Sequence, residues 1–210
     1  MALPQVPFID GAATSRTYPA HLDASSGVSA ATSLDGQVPT FSASGSAFAQ
    51  IATPTVWIVM QGSASKTIRI RRIELAGAAT AAGSMPFVIA RCSAAGTLGS
   101  AVLTAVTAAE HDTAGASATA VVSTVGTANY GTPPTVVANI AAGRVNMVAL
   151  GSAATSSTGT PGVVLGGEAG EAAIVLRGTS EYLTISASGA AIPSGGVNDF
   201  RIVWTEESES

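Results

Sequence analysis

The sequence predicts an all-β fold, a single antiparallel β-sandwich of jelly-roll type with an extended N-terminal arm. After Gln50 the chain is a series of short apolar runs separated by Gly, Pro, Ser and Thr clusters, the pattern of strands and turns. No segment spaces its apolar residues as a long amphipathic helix would. A length of 210 residues suits one such domain plus an arm and is short for two independent domains.

Residues 1–50 form the expected arm. They are rich in Pro, Ser, Ala and Gly and poor in β-branched apolar residues. Such a segment buries too little apolar surface to offset an ordering cost of about 1–2 kcal/mol per residue, so if ordered it must lie on something else. Its scattered large side chains, Phe8, Tyr18, Leu22, Phe41 and Phe48, are the candidate anchors to a neighbouring subunit or a host surface.

The β-domain is expected over residues 51–206, with strands at 53–60, 66–76, 85–92, 118–125, 144–150, 162–165, 172–176, 182–188 and 199–206. The second is the most informative. Ile68 and Ile70 alternate with Thr67, Arg69 and Arg71, and then Ile73 and Leu75 continue on the opposite parity. A strand that shifts its apolar set by one residue needs a bulge or a second buried face, so Arg71-Arg72 should mark a β-bulge or a subunit contact. Residues 98–110 fit helix and strand about equally, through abundant Ala on one side and Val and Thr on the other. Eight or nine strands needing covered edges favour a jelly roll. An immunoglobulin-like sandwich is the alternative, but it would want seven strands and a Trp in mid-domain. Here Trp57 lies in the first strand and Trp204 in the last, as suits a sandwich whose terminal strands pair. Residues 207–210 are an acidic tail, and the whole run from Glu206 to Ser210 is expected to be solvated.

Charged residues make up 10% of the chain, against about a quarter in ordinary soluble domains. A surface so poor in charge is expected to be buried against other subunits, which makes a homo-oligomer the default. The net charge of −4 argues against a nucleic-acid partner. The uncharged run between Asp112 and Arg144 is broken by Gly, Pro, Ser and Thr, so no membrane span is expected, and the N-terminus has no secretory pattern. The single cysteine, Cys92, is expected as a buried free thiol.

Chemistry is thinly supplied. His111 stands between Glu110 and Asp112, but sequence neighbours do not make a catalytic constellation, and a loop-structuring or interface role is expected. Ser63-Ala64-Ser65-Lys66 has the S-x-x-K spacing of penicillin-recognising enzymes, yet strand alternation would point the two side chains apart. Glu168 and Glu171 are too few for a tight calcium site, and two His with one Cys offer no zinc spacing. No enzyme activity, cofactor or metal is expected. The local basic cluster Lys66, Arg69, Arg71 and Arg72 reads as a solvated strand face. Arg69, Arg71, Arg72 and His111 are the candidate interface residues.

Taken in order, several segments resemble small structural proteins of tailed bacteriophages whose jelly-roll domain carries a G-S-A-S-K-T-(I/V)-R-(I/V) strand. That strand is Gly62 to Ile70 here. The similarity continues through Ala79 to Gly83, His111-Asp112, Ile174 to Gly178, Glu181 to Leu183 and Ile202 to Glu206, covering roughly residues 50–206 and leaving the arm unmatched. The chain departs from the family where Arg91-Cys92 leads into a short Ala/Gly loop in place of a basic, Ser/Thr-rich one. The resemblance implies a virion component assembled in the host cytoplasm: a capsid decoration or cement protein, a homotrimer set on the major capsid protein. A fibre, tail-associated or receptor-binding module is the alternative it leaves open.

Overall fold

The computed structural model describes residues 6–9, 15–18, 38–49, 55–81, 83–112, 115–126, 128–149, 164–165, 173–187 and 190–208. The chain divides into two compact units, Met1–Gln37 and Val38–Ser210. In the first, β1 (Val6–Ile9) pairs antiparallel with β2 (Ser15–Tyr18), placing Phe8 opposite Arg16 and Tyr18 opposite Val6. The segment expected to be merely extended therefore contains a β-pair, formed by two short runs of β-branched and aromatic residues. Leu22 lies outside the described residues.

The second unit contains β3 (Thr40–Ala49), β4 (Ile58–Gln61), β5 (Lys66–Ala79), β6 (Gly83–Cys92), β7 (Val102–Val106), β8 (Ala109–Glu110), β9 (Val121–Gly126), β10 (Val136–Ala149), β11 (Val164–Leu165), β12 (Ile174–Arg177), β13 (Tyr182–Ser186) and β14 (Val197–Ser208). It is an all-β sandwich of two antiparallel sheets. One sheet runs β5-β14-β3-β8, and the free edge of β5 is taken in turn by β12, β11 and the end of β10. The other runs β7-β9-β4-β13-β6-β10. The sheets join where Val148 and Ala149 lie parallel to Ala78 and Ala79 of β5.

The interior follows from strand alternation. Ile68, Ile70, Ile73 and Leu75 of β5 and Phe200, Ile202 and Trp204 of β14 are buried in one cluster with Ile58, Met60, Met85, Phe87, Ile89, Leu183 and Ile185 of the other sheet. Each such aliphatic side chain contributes about 1.5–3 kcal/mol through burial. The phase change in β5 is a bulge: Val203 stands opposite Arg72 and Trp204 opposite Ile70, which leaves Arg71 as the extra residue. Both arginines at the bulge are exposed, and the inward series resumes at Ile73.

Several expectations are corrected. β3 lies within the segment assigned to the arm, yet it pairs along β14, and Phe41 is buried against Trp204 with ring centroids 5.9 Å apart. Phe41 is thus a core residue and not an arm anchor, and the β-domain begins near Val38, not at residue 51. Phe48 also lies on β3, opposite Asn198. The small residues of β3 have a packing reason, since a Cβ on Gly45 would come within 2.6 Å of Cε1 of Phe200. The ambiguous segment 98–110 holds strands β7 and β8. The strands carrying the two tryptophans do not pair: β4, which follows Trp57, lies between β9 and β13, whereas β14 lies between β5 and β3.

Candidate interaction face

The four interface candidates sit on or beside the β5–β14 sheet, and three of them are engaged within the chain. Arg69 Nε donates to Glu207 Oε2 at 2.7 Å, Arg72 Nε pairs with Glu74 at 2.7 Å, and Arg201 approaches the same Glu74 at 4.0 Å. Exposed pairs of this kind contribute about 0–1 kcal/mol, so their main effect is to cancel charge locally. His111 is a loop tie: its Nε2 lies 3.0 Å from Ser42 Oγ, and its backbone N–H donates to the Thr40 carbonyl at 3.0 Å. Arg71 stands exposed at the bulge. Lys66 and Ser63 do not face each other, since Lys66 Nζ donates to Ser208 at 3.0 Å while the Ser63 hydroxyl is buried beside Thr119.

The acidic end of the chain is not a solvated tail throughout. Glu206 is buried, and its carboxylate accepts from the backbone N–H groups of Thr119 and Ala120, from the Thr119 hydroxyl at 2.6 Å and from Trp204 Nε1 at 3.0 Å. Having one proton, the Thr119 hydroxyl gives it to the carboxylate and accepts from Ser63 Oγ at 2.7 Å. A carboxylate saturated by four donors is a structural lock. It fastens the segment before β9 to β14. Glu168 and Glu171 lie outside the described residues, and among the described residues no three His, Cys, Asp or Glu gather as metal ligands.

The sheet from β7 to β10 is different in kind. Arg91 and Arg144 are the charged residues of its six strands. Leu98, Val102, Leu103, Val121, Val136, Val137 and Ile140, the large apolar side chains exposed among the described residues, all lie on this sheet or on the loop entering it. On its outer surface Val56, Val59, Ala101, Val125 and Tyr130 form a second apolar cluster with Tyr182. Segments 93–101 and 128–135 cover that cluster, tied by mutual bonds between Thr97 and Thr132 at 2.9 and 3.0 Å. Gly96 makes the tie possible. Its φ is +73°, and a Cβ there would collide with the Thr132 carbonyl.

Beside this cover opens a cleft of about 290 Å³ whose apolar wall includes Val56, Val88, Ala90, Pro133, Pro134 and Val136. Its polar lining, Thr55, Asn139, Thr184 and Ser186, carries no charge. Beyond Val136, two register shifts against β6 leave Val137 and Ile140 as extra residues, 53% and 46% exposed. The cleft and the bulged β10 edge together suit apolar contact with another protein. Nearby, Cys92 Sγ lies 3.5 Å from Thr184 Oγ1, and burial raises the thiol pKa above its ordinary value against the lesser, lowering effect of that contact. Burial also raises the Tyr130 phenol, with Tyr182 adding to the shift.

Comparison with protein families, with curated proteins and with solved structures finds no match. Sequence reasoning missed Val136, Val137 and Ile140. The signal for them is the absence of any charge between Asp112 and Arg144.

Proposed function

We propose that this chain is a structural protein of a tailed-bacteriophage virion, a capsid decoration protein that oligomerises, in the reading as a homotrimer, and stabilises the head shell through contact with the major capsid protein. The observation that carries the reading is the partition of charge between the two sheets. One sheet holds Arg69 and Arg72 in ion pairs with Glu207 and Glu74 of the same chain, and the other presents a nearly uncharged surface with aliphatic side chains and a cleft at its β10 edge. A protein that exists to sit on a lattice gains from such a face, because contacts made only with the assembled shell favour the shell by mass action. The order of phage-like segments from Gly62 to Glu206 supports the same reading, as does the separate Met1–Gln37 unit, which offers a second point of attachment.

The test is co-sedimentation with purified phage heads stripped of decoration. Wild-type protein is expected to bind and to raise the temperature at which heads rupture. A Val137→Asp/Ile140→Asp variant, altered only at exposed positions, is expected to unfold as wild type does yet bind at least about tenfold more weakly. Absence of wild-type binding, or binding unchanged in the variant, would overturn the proposal.

A further inference from the structure

The uncharged sheet ends in two edges of opposite character. Along β10, bulges at Val137 and Ile140 interrupt the ladder, and an interrupted, twisted edge is a poor template for another strand. Along β7, Val102 to Val106 pair with Gly126 to Val122 of β9 residue for residue, with no shift. β7 stands last in the sheet order, and residues 102–105 are exposed, Val102 to 55%. Among the described residues β7 shows none of the charge, proline or bulge devices that blunt an open edge: Val-Leu-Thr-Ala-Val contains no Lys and no Pro, and its register has no shift. From Cys92 to Ala109 the chain carries no charged residue at all.

An edge of this kind selects its partner through charge. Two copies of one strand bring identical residues together, so any charge on it would meet its own sign near the axis, and β7 has none. We propose that β7 pairs antiparallel with β7 of a second copy, about a twofold axis through Thr104. Centring on Thr104 uses the whole strand. Val102 then faces Val106 of the second copy, Leu103 faces Ala105, and Thr104 faces Thr104. The Val102–Val106 pairs lie on one face and the Leu103–Ala105 pairs on the other, and the ladder joins two six-stranded sheets into one. The contact is independent of head binding at the β10 edge and, being twofold, is distinct from the threefold contacts within a homotrimer; it would join two such trimers, so each contact can fail alone.

The test is a cysteine at the axis. Directly opposed residues of an antiparallel pair lie within disulfide range in either pair type. Thr104→Cys is therefore expected to give a two-chain covalent species under mild oxidation at micromolar concentration, at least about tenfold faster than Val121→Cys, an exposed control one strand inward. The native Cys92 is buried and does not compete. Thr104→Lys, which sets two ammonium groups face to face, is expected to weaken self-association about tenfold in sedimentation while leaving head binding intact. Cross-linking of Thr104→Cys no faster than of Val121→Cys overturns the proposal, whether or not the lysine variant folds.

Discussion

In the sheet built on β5 and β14, Arg69 meets Glu207, Arg72 meets Glu74, and Glu206 is buried under four donors, whereas the six strands β7, β9, β4, β13, β6 and β10 of the other sheet carry only Arg91 and Arg144. The same core joins the two sheets, so their difference does not come from what folding requires inside. It lies in how each outer surface is finished. The first engages Arg69 and Arg72 in short ion pairs within the chain. The second leaves aliphatic groups, an unblunted edge and a neutral cleft, surfaces whose burial against another molecule costs little desolvation of charge. A cluster of arginines is therefore a poor guide to the interface here, and an uncharged run is a better one.

The sharpest way to probe the first sheet is deletion of single residues from β5. Removing Glu74 shifts Leu75 and all that follows to the wrong face and breaks the register with β14, and the loss of several buried side chains exceeds about 5 kcal/mol, comparable to the whole stability of a domain. The deletion variant is expected not to fold. Removing Arg71 does the opposite. Ile70 would precede Arg72 in regular alternation, and both keep their partners Trp204 and Val203, so urea denaturation should show a change within about 1.5 kcal/mol. Equal damage from the two deletions would mean that the bulge is not what reconciles the two halves of β5.

Next in size is the carboxylate lock. Glu206→Ala leaves the Ala120 N–H and the Trp204 indole N–H buried without an acceptor, and a loss of about 3–5 kcal/mol is expected by chemical denaturation. Arg144→Ala on the other sheet removes an exposed side chain that donates to Ser84 Oγ at 3.1 Å, and it should change stability by no more than about 0.5 kcal/mol. Similar effects at the two sites would remove the distinction between charges that fold the protein and charges that merely sit on it.

What the sequence disclosed follows the same division. β5 and its bulge were legible because Ile68, Ile70, Ile73 and Leu75 write a period of two, and the Arg71-Arg72 doublet marks where that period slips. β3 was not legible, since Thr-Phe-Ser-Ala-Ser-Gly-Ser-Ala-Phe-Ala owes its place to the bulk of Phe200 and Trp204 on β14. The first half of β10 was hidden by its own two bulges, which erase alternation between Val136 and Ala141. The burial of Glu206 was beyond reach of local pattern because its donors at Thr119 and Ala120 lie 87 and 86 residues away.

The last expected effect reverses the roles of the sheets, because the alkaline response belongs to the one poor in charges. Cys92 on β6 and Tyr130 over its outer face both hold their protons more tightly folded than unfolded, chiefly because burial disfavours the anion. As the pH rises past the ordinary values of 9.0 for the thiol and 10.0 for the phenol, the unfolded chain releases protons that the folded chain still binds. The stabilisation from these groups is thus full below pH 9.0 and is lost as pH climbs through the folded values, with a slope of at most about 1.4 kcal/mol per pH unit for each group. Denaturation midpoints measured from pH 7 to 10.5 should fall at the alkaline end. Cys92→Ala should delay the onset, and Tyr130→Phe should flatten the later part. A profile that declines as steeply in the double variant as in wild type would place the alkaline sensitivity elsewhere in the sandwich.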